Sequence, residues 1–483
     1  MIARRAGRAA AEPAQATIVL ISFEGPDRYA TAGGLGVRVA WLSRTLAAAG
    51  LDTHVVFVGE PAAPGYESPK PRLHLHRWSQ WISRYYPGGV YEGEEAKLYD
   101  VNESLPGFVV ETLARPAIEA GRLVVVMGEE WHTAEAMCRI SDRLWHAGLR
   151  SRAVLLWNAN NTMGFDRIDW PRLEYVTALT TVSRYMKRLM WPLGVNPLVI
   201  PNGIPATLLE AARPGDVGRL RRSLGAAVML LKVGRWNPDK RWLMAVETVA
   251  DLRARGRRTT LVALGGVEPH QAEVLDRARH LGLRVRDVVP AEPTVEAWAA
   301  ALHDARDAEV AVVRAFAPLP LLRTLYRAAD AVLANSGHEP FGLVGLETMA
   351  SGGIAITGGT GEEYAVHLEN AIVLDTADPA EASWYVRFLG ERREVAAGLA
   401  RAARATAGRF VWERVLVNLL AKVDLAAANQ GVQARRLLAP PLSGGNGVRA
   451  HEPTGCSRSV TASSGASAHP PGRSERGGHG GHR

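Results

Sequence analysis

Residues 335–353 read NSGHEPFGLVGLETMASGG, and they turn a strand into a helix. The chain before them, LYRAADAVLA (325–334), closes on a short apolar run that suits a buried strand. After Pro340, the apolar residues Phe341, Leu343, Val344, Leu346, Met349 and Ala350 recur at helical spacing until Gly352 and Gly353 stop the helix. Glu339 stands at the turn. Glu347 lies slightly over two turns further on, at about 3.6 residues per turn, so two carboxylates and a helix N-terminus face one crevice. A helix N-terminus offers unpaired amides and partial positive charge, which suits phosphate, while carboxylates accept hydrogen bonds from hydroxyl groups. Phosphate plus polyol points to a nucleotide sugar.

Working outward, VMLLKVG (228–234) opens a strand series and runs into GRWNPDKR, where Arg235 and Lys240 project from the loop at a strand end. Paired cations there suit a diphosphate and the charge that grows on it as it departs; surface charge is the commoner fate of such residues. Strand and helix patterns then alternate through LMAVETVADLRARG, TTLVALGG, a helix from His270, RVRDVV, a helix near 295–308, AEVAVVRAF and LPLLRTLYRAAD. Beyond Gly353 come IAIT (354–357), the glycine turn GGTGEEY, ENAIVLD and further helix through Ala402. A last amphipathic helix, 411–427, sets Val411, Val415, Leu419 and Val423 on one face, which must pack on something.

The first half repeats the alternation. ATIVLISFE (16–24) reads as a buried strand, GPDRYATAGGLG as a loop, VRVAWLSRTLAAAG as a helix and THVVFVG (53–59) as the next strand. This is the order of a doubly wound parallel sheet. Gly33, Gly34 and Gly36 let amides approach a diphosphate, although their spacing differs from G-x-G-x-x-G and a structural turn, or a dinucleotide turn with Glu60 on a ribose, reads equally from them. Residues 61–106, rich in aromatics, Pro and Gly, read as an irregular excursion with helical pieces whose Trp78, Trp81, Tyr85, Tyr86 and Tyr91 pack, or line an acceptor site. The strand 123–127 precedes EEWHTAEA, with His132 at its C-terminal end, where ligands of open α/β sheets bind. AVLLWNANN and YVTALTTVS (175–183) supply two more strands.

Composition sets bounds. At 483 residues and 47% hydrophobic, two domains are expected. The net charge of +8 sits mostly on the ends, with +2 in residues 1–16 and +5 in 430–483, which argues against nucleic-acid binding by the folded body. A peripheral contact with an anionic membrane stays open. Cys138 and Cys456 are the only cysteines, which excludes a disulfide framework and a Cys-based zinc site, and no D-x-D metal motif occurs. With no apolar stretch of about 18 residues, the chain is expected to be cytoplasmic. The expected organisation is a disordered tail 1–15, domains 16–205 and 206–408, the helix 409–429 packing back on the body, and a disordered Gly/Ser/Arg/His-rich tail 430–483 whose His479 and His482 are only adventitious metal ligands.

With these residues on the page, the chain resembles the retaining nucleotide-sugar glycosyltransferases of the GT-B fold, glycosyltransferase family four, with touches of the glycogen and starch synthases. The resemblance spans roughly 16–427. EPFGLVGLE looks like the family's paired-glutamate motif and GRWNPDKR like its diphosphate-gripping segment. It implies two Rossmann-like domains facing a cleft, the first on the acceptor side and the second holding the donor. It implies a nucleoside-diphosphate hexose as donor, with glucose the expected sugar, a carbohydrate or other hydroxyl acceptor, retention of configuration, and no metal or other cofactor. Glu339 would then meet sugar hydroxyls, Glu347 the ribose, the amides of Phe341, Gly342 and Leu343 the distal phosphate, Arg235 and Lys240 the diphosphate, and His132 the donor sugar. Thr31 replaces the lysine that precedes the glycine loop of glycogen synthases, and Glu130 stands where they carry Asp, which puts glucan elongation in doubt. A dinucleotide oxidoreductase, a sugar phosphorylase, an epimerase and a non-catalytic nucleotide-sugar sensor are the rivals.

Overall fold

The computed structural model describes residues 16–225 and 228–432; the tails expected to be disordered, 1–15 and 430–483, lie outside the described residues except for 430–432, which are ordered, with Gln430 bonded to Leu155 and Val432 buried. Two sheets organise the chain. The first takes β1 (Ala16–Ser22), β2 (Asp52–Val58), β3 (Tyr66–Lys70), β4 (Leu73–Trp78), β5 (Leu123–Glu129), β6 (Ala153–Ala159), β7 (Ala178–Thr181) and β8 (Leu198–Val199) in the order β3-β4-β2-β1-β5-β6-β7-β8. Every pairing is parallel except β3 with β4. The second takes β9 (Val228–Val233), β10 (Thr259–Leu264), β11 (Val285–Val288), β12 (Val310–Val313), β13 (Ala331–Ala334), β14 (Ala355–Thr357) and β15 (Ile372–Val373) in the order β11-β12-β10-β9-β13-β14-β15, all parallel. Central strands such as β1 and β6 are buried along their whole length, as strands covered by helices on both faces must be.

In each sheet the order reverses beside its first strand, so the crevice outside the C-terminal strand ends opens beside β1 in one and β9 in the other. The chain crosses between the sheets near Ile204 and returns near Val411. The crossings are tied together by Ile204 N–H to Phe410 O (2.9 Å) and Trp412 N–H to Ile204 O (3.1 Å). The final helix, Trp412–Asn429, then lies on the first sheet, where Val415, Leu419 and Val423 join Ile18 and Leu20 in one core. Gln430 side chain closes the contact by bonding both the N–H (3.0 Å) and the C=O (2.8 Å) of Leu155 in β6.

Three expectations are corrected. The excursion contains, beside the helix Glu94–Phe108 that its expected helical pieces allow, the two strands β3 and β4: β3, YESPK, is exposed throughout and has no apolar alternation to reveal it, while β4 alternates Leu with His and Arg. The first helix starts at Gly34 instead of Val37, because a carboxylate from elsewhere takes its leading amides. The strand read over 175–183 is a helix, Trp170–Val176, followed by the short β7; Asp169 caps that helix by accepting from Arg172 N–H (3.1 Å), with Pro171 in its first turn. Among the described residues no helix is long and apolar enough to cross a membrane.

Candidate functional site

The loop after β9 is pinned from below. Trp236 stacks on Trp242 (3.8 Å between centroids), Trp236 N–H donates to Glu268 (2.9 Å), and Trp242 Nε1 donates to Arg235 O (2.8 Å). Asn237 accepts from Asp239 N–H (2.9 Å) and Pro238 starts the turn that presents Lys240. Lys240 Nζ meets Glu339 Oε2 at 2.5 Å, and Ser336 Oγ donates to the same oxygen (3.0 Å). Beneath them, the buried Lys232 Nζ bonds Asn335 Oδ1 (2.6 Å) and Leu333 O (2.9 Å), tying β9 to β13; burial, and then the neighbouring Lys240, push its pKa well down. Arg241 lies against Gly337, where an added Cβ would come within 2.9 Å of its Nε. Arg235 is exposed, and among the described residues its side chain has no hydrogen-bond or ion-pair partner.

The helix Leu343–Ala350 begins after Gly342, whose φ of 82° lies in the left-handed region and whose Cβ, if it had one, would sit 2.4 Å from Glu362 Cγ. Among the described residues no side chain caps this terminus, so its leading amides stay available to an anion. Segment 358–364 wraps the motif: Thr360 Oγ1 accepts from Glu339 N–H (2.9 Å), Gly361 N–H donates to Glu339 O (2.8 Å), and Tyr364 Oη donates to Gly342 O. The buried Glu362 accepts from Thr360 through Oε2 (3.0 and 3.2 Å), and its Oε1 has no partner among the described residues. Burial, with the Glu339 charge second, pushes its pKa up to about 7.

Glu347 accepts from Tyr326 Oη (2.9 Å) and does not share a partner with Glu339. The residue is half-buried, and burial pushes its pKa up to about 7. The native state therefore holds a proton that an unfolded glutamate releases near its ordinary value of 4.5. Stability from this site is complete below that value and is lost as pH rises through about 7. Glu347→Gln, neutral at every pH, is expected to flatten the fall in melting temperature between about pH 5 and 8. Thermal melts across that range check it; an unchanged slope refutes the burial argument.

At the end of the first sheet, Glu24 Oε2 accepts from Ala32 N–H (3.1 Å), Gly33 N–H (3.0 Å) and Gly36 N–H (3.0 Å), and Tyr91 Oη donates to Oε1 (2.6 Å). The glycine-loop amides that the sequence aims at a diphosphate thus hold an internal carboxylate. Gly36 is packed against it, while Gly33 and Gly34 border open space, with nothing within 4 Å of an added Cβ. His132 is buried between Trp131 (3.9 Å) and Phe23 (4.3 Å); its Nε2 lies 2.7 Å from Glu94 Oε1, its Nδ1 has no partner among the described residues, and burial lowers its pKa. Glu130, at a φ of 68° unusual for a non-glycine residue, accepts the amides of Asn160 (2.5 Å) and Asn161 (3.2 Å); burial raises its pKa to about 8. Buried Glu129 beside it takes Arg38 Nε at 3.1 and 3.2 Å.

The halves touch beside Glu339. Ser183 Oγ donates to Pro340 O (2.6 Å), Tyr185 N–H donates to Glu363 (2.7 Å), and Tyr185 Oη lies 2.7 Å from His338 Nδ1. Of the predicted residues, the structure joins Lys240 to Glu339 and sets Phe341, Gly342 and Leu343 at the same helix entrance. It gathers Gly33, Gly36 and His132 around Glu24 and Tyr91, the Tyr91 and His132 rings being 5.7 Å apart. Among the described residues no hydrogen bond or ion pair links these two groups. Sequence reasoning missed Glu24, Lys232, Arg241, Ser336, Thr360 and Glu362. A lone lysine inside the apolar run MLLKV was the one signal on offer.

Residues 308–406 match the family model "Glycosyl transferases group 1", a span that contains Glu339, Glu347 and Glu362. The chain is 29% identical to a D-inositol 3-phosphate glycosyltransferase of Geodermatophilus obscurus, over 93% of this chain and 98% of that one. The sucrose-phosphate synthase of Thermosynechococcus elongatus superposes with a TM-score of 0.61 at 19% identity, covering 86% of this chain and 100% of that one. The catalytic domain of starch synthase IV from Arabidopsis thaliana, bound to ADP and acarbose, gives 0.62 at 14% identity, with 86% and 100% covered.

Proposed function

We propose that this chain, a glycosyltransferase of the GT-B fold with a group 1 domain in its second half, moves a hexose from a nucleoside-diphosphate sugar to a hydroxyl acceptor with retention of configuration. The observation that carries this reading is the Lys240–Glu339 contact, which sets a cation and a carboxylate together where β9 and β13 end. A donor diphosphate seated at the entrance of helix Leu343–Ala350 meets Lys240, Arg235 and the amides of Phe341, Gly342 and Leu343. Glu339 accepts from the sugar hydroxyls, and Glu347 from the ribose. As the sugar–phosphate bond breaks, negative charge collects on the diphosphate, and fixed cations and amides favour that state over the ground state. Protein cations do this work in the proposal, so neither a metal nor another cofactor is invoked. On the first half, Gly33 and Gly34 give the sugar end an open backbone to approach, and His132 meets the donor sugar.

The relative from Geodermatophilus obscurus makes a phosphorylated cyclitol the first acceptor to try. The test is a thermal-shift screen of ADP, GDP, UDP and their hexose derivatives, followed by transfer assays with the donor that binds. A ligand held by the native state at about 100 times its Kd adds about 2.7 kcal/mol of apparent stability. One nucleotide series is expected to raise the midpoint, and its sugar form to support transfer with the anomer retained. A shift with NADH and none with any nucleoside diphosphate would falsify the reading in favour of a dinucleotide enzyme.

A further inference from the structure

The N-terminal ends of β2 and β4 carry a cluster that the transfer reaction does not use. The two strands are parallel and in register, His54 opposite His74 and Val56 opposite His76. Side chains alternate across a strand, so Asp52, His54, His74 and His76 fall on one face. His74 Nε2 lies 3.1 Å from Asp52 Oδ1 and His54 Nε2 lies 3.7 Å from Asp52 Oδ2, and one ligand atom from each residue lies within 4.8 Å of the others. Ligands about 2.0–2.1 Å from a tetrahedral ion stand roughly 3.3 Å apart, and the two imidazole–carboxylate distances, 3.1 and 3.7 Å, lie on either side of that spacing. The second nitrogen of each imidazole is also engaged: His54 Nδ1 lies 3.0 Å from His76 Nε2, and His74 Nδ1 lies 2.8 Å from Tyr66 Oη. Partners of that kind orient metal-bound histidines.

We propose that Asp52, His54 and His74 bind a divalent transition-metal ion, Zn²⁺ or a chemically similar ion such as Co²⁺, with His76 and Tyr66 orienting the imidazoles. Two imidazoles and one carboxylate favour such an ion over Mg²⁺ or Ca²⁺, which take oxygen ligands. The competing reading is a proton-sharing cluster in which Asp52 answers to Arg122 (2.7 Å) and one protonated histidine. A single carboxylate already shared with Arg122 neutralises only part of a stack whose rings lie 4.5 and 5.3 Å apart. The site lies at the opposite ends of the strands from Glu24 and His132, so the ion is structural: it clamps β4, and β3 beyond it, onto β2.

The full-length protein, dialysed against a chelator and then against micromolar Zn²⁺, tests this by bound-metal analysis, Zn²⁺-dependent melting and the visible spectrum with Co²⁺. Every variant keeps the histidines of the C-terminal tail, so metal held there cannot separate them. One equivalent and a raised midpoint are expected in the wild type, with loss of both in His74→Gln and Asp52→Asn. Tyr66→Phe should weaken Zn²⁺ about 10–100-fold. No bound ion in the wild type, or the same Zn²⁺ response in His74→Gln, overturns the site. If the His74 and Asp52 variants do not fold, Tyr66→Phe decides, because it keeps the ring of this exposed residue and removes only the hydroxyl beside His74 Nδ1; unchanged affinity there also overturns it.

Discussion

Lys240→Ala is expected to lower turnover by about 10²–10³-fold, the usual cost of deleting one group that stabilises charge growing in a transition state. The loss should fall mainly on kcat, because the lysine's contribution grows as the diphosphate departs, and less on the KM of the donor. Stability should hardly move. Both Lys240 and Glu339 keep some solvent exposure, 27% and 19% of their side chains, and partly exposed ion pairs of this kind contribute about 0–1 kcal/mol. The buried Lys232 below carries the link between β9 and β13 and is untouched by the change. Lys240→Arg should restore only part of the rate, since a planar fork replaces a compact point charge. Steady-state kinetics beside thermal melts check all three statements. Near-normal kcat in a folded Lys240→Ala protein would leave the proposed donor site without its central cation.

What the sequence made legible follows from where the information lies. The strand, turn and helix over 331–350 could be read because an apolar run, Pro340 and the paired glycines are local signals. The same holds for the last helix, whose four predicted apolar positions are all buried. Lys240 and Glu339 each stand at a strand end that local pattern makes legible, but they lie 99 residues apart, and only the fold shows them in contact. Glu24 was invisible for the opposite reason. It ends an apolar strand and looks like ordinary strand punctuation, yet its partners are amides 8 to 12 residues on and a tyrosine 67 residues on. The histidine cluster escaped in the same way: LDTHVV and LHLHRW become one site only when parallel pairing brings them into register. The helix before β7 is a different case, since Asp169 followed by Trp and Pro is a local start signal that a run of apolar residues outweighed.

Glu339→Gln tests the other half of the pair. A hydrogen bond to a charged acceptor is worth about 1.5–3 kcal/mol, so if the carboxylate accepts from sugar hydroxyls, kcat/KM should fall by about 10–150-fold. The side chain keeps its shape, and Ser336 Oγ can still donate to the amide oxygen, so the loop should stay in place. The informative comparison is between ligands. A nucleoside diphosphate without its sugar should bind the variant as tightly as wild type, or more tightly, because removing a negative charge beside Lys240 frees that cation for phosphate. The nucleotide sugar should bind more weakly. Since the two residues touch, the Lys240→Ala, Glu339→Gln double variant should be less impaired than the product of the single losses. Equal loss of affinity for diphosphate and nucleotide sugar would move Glu339 from the sugar to the phosphate side of the site. Wild-type transfer in the variant would remove it from the site altogether.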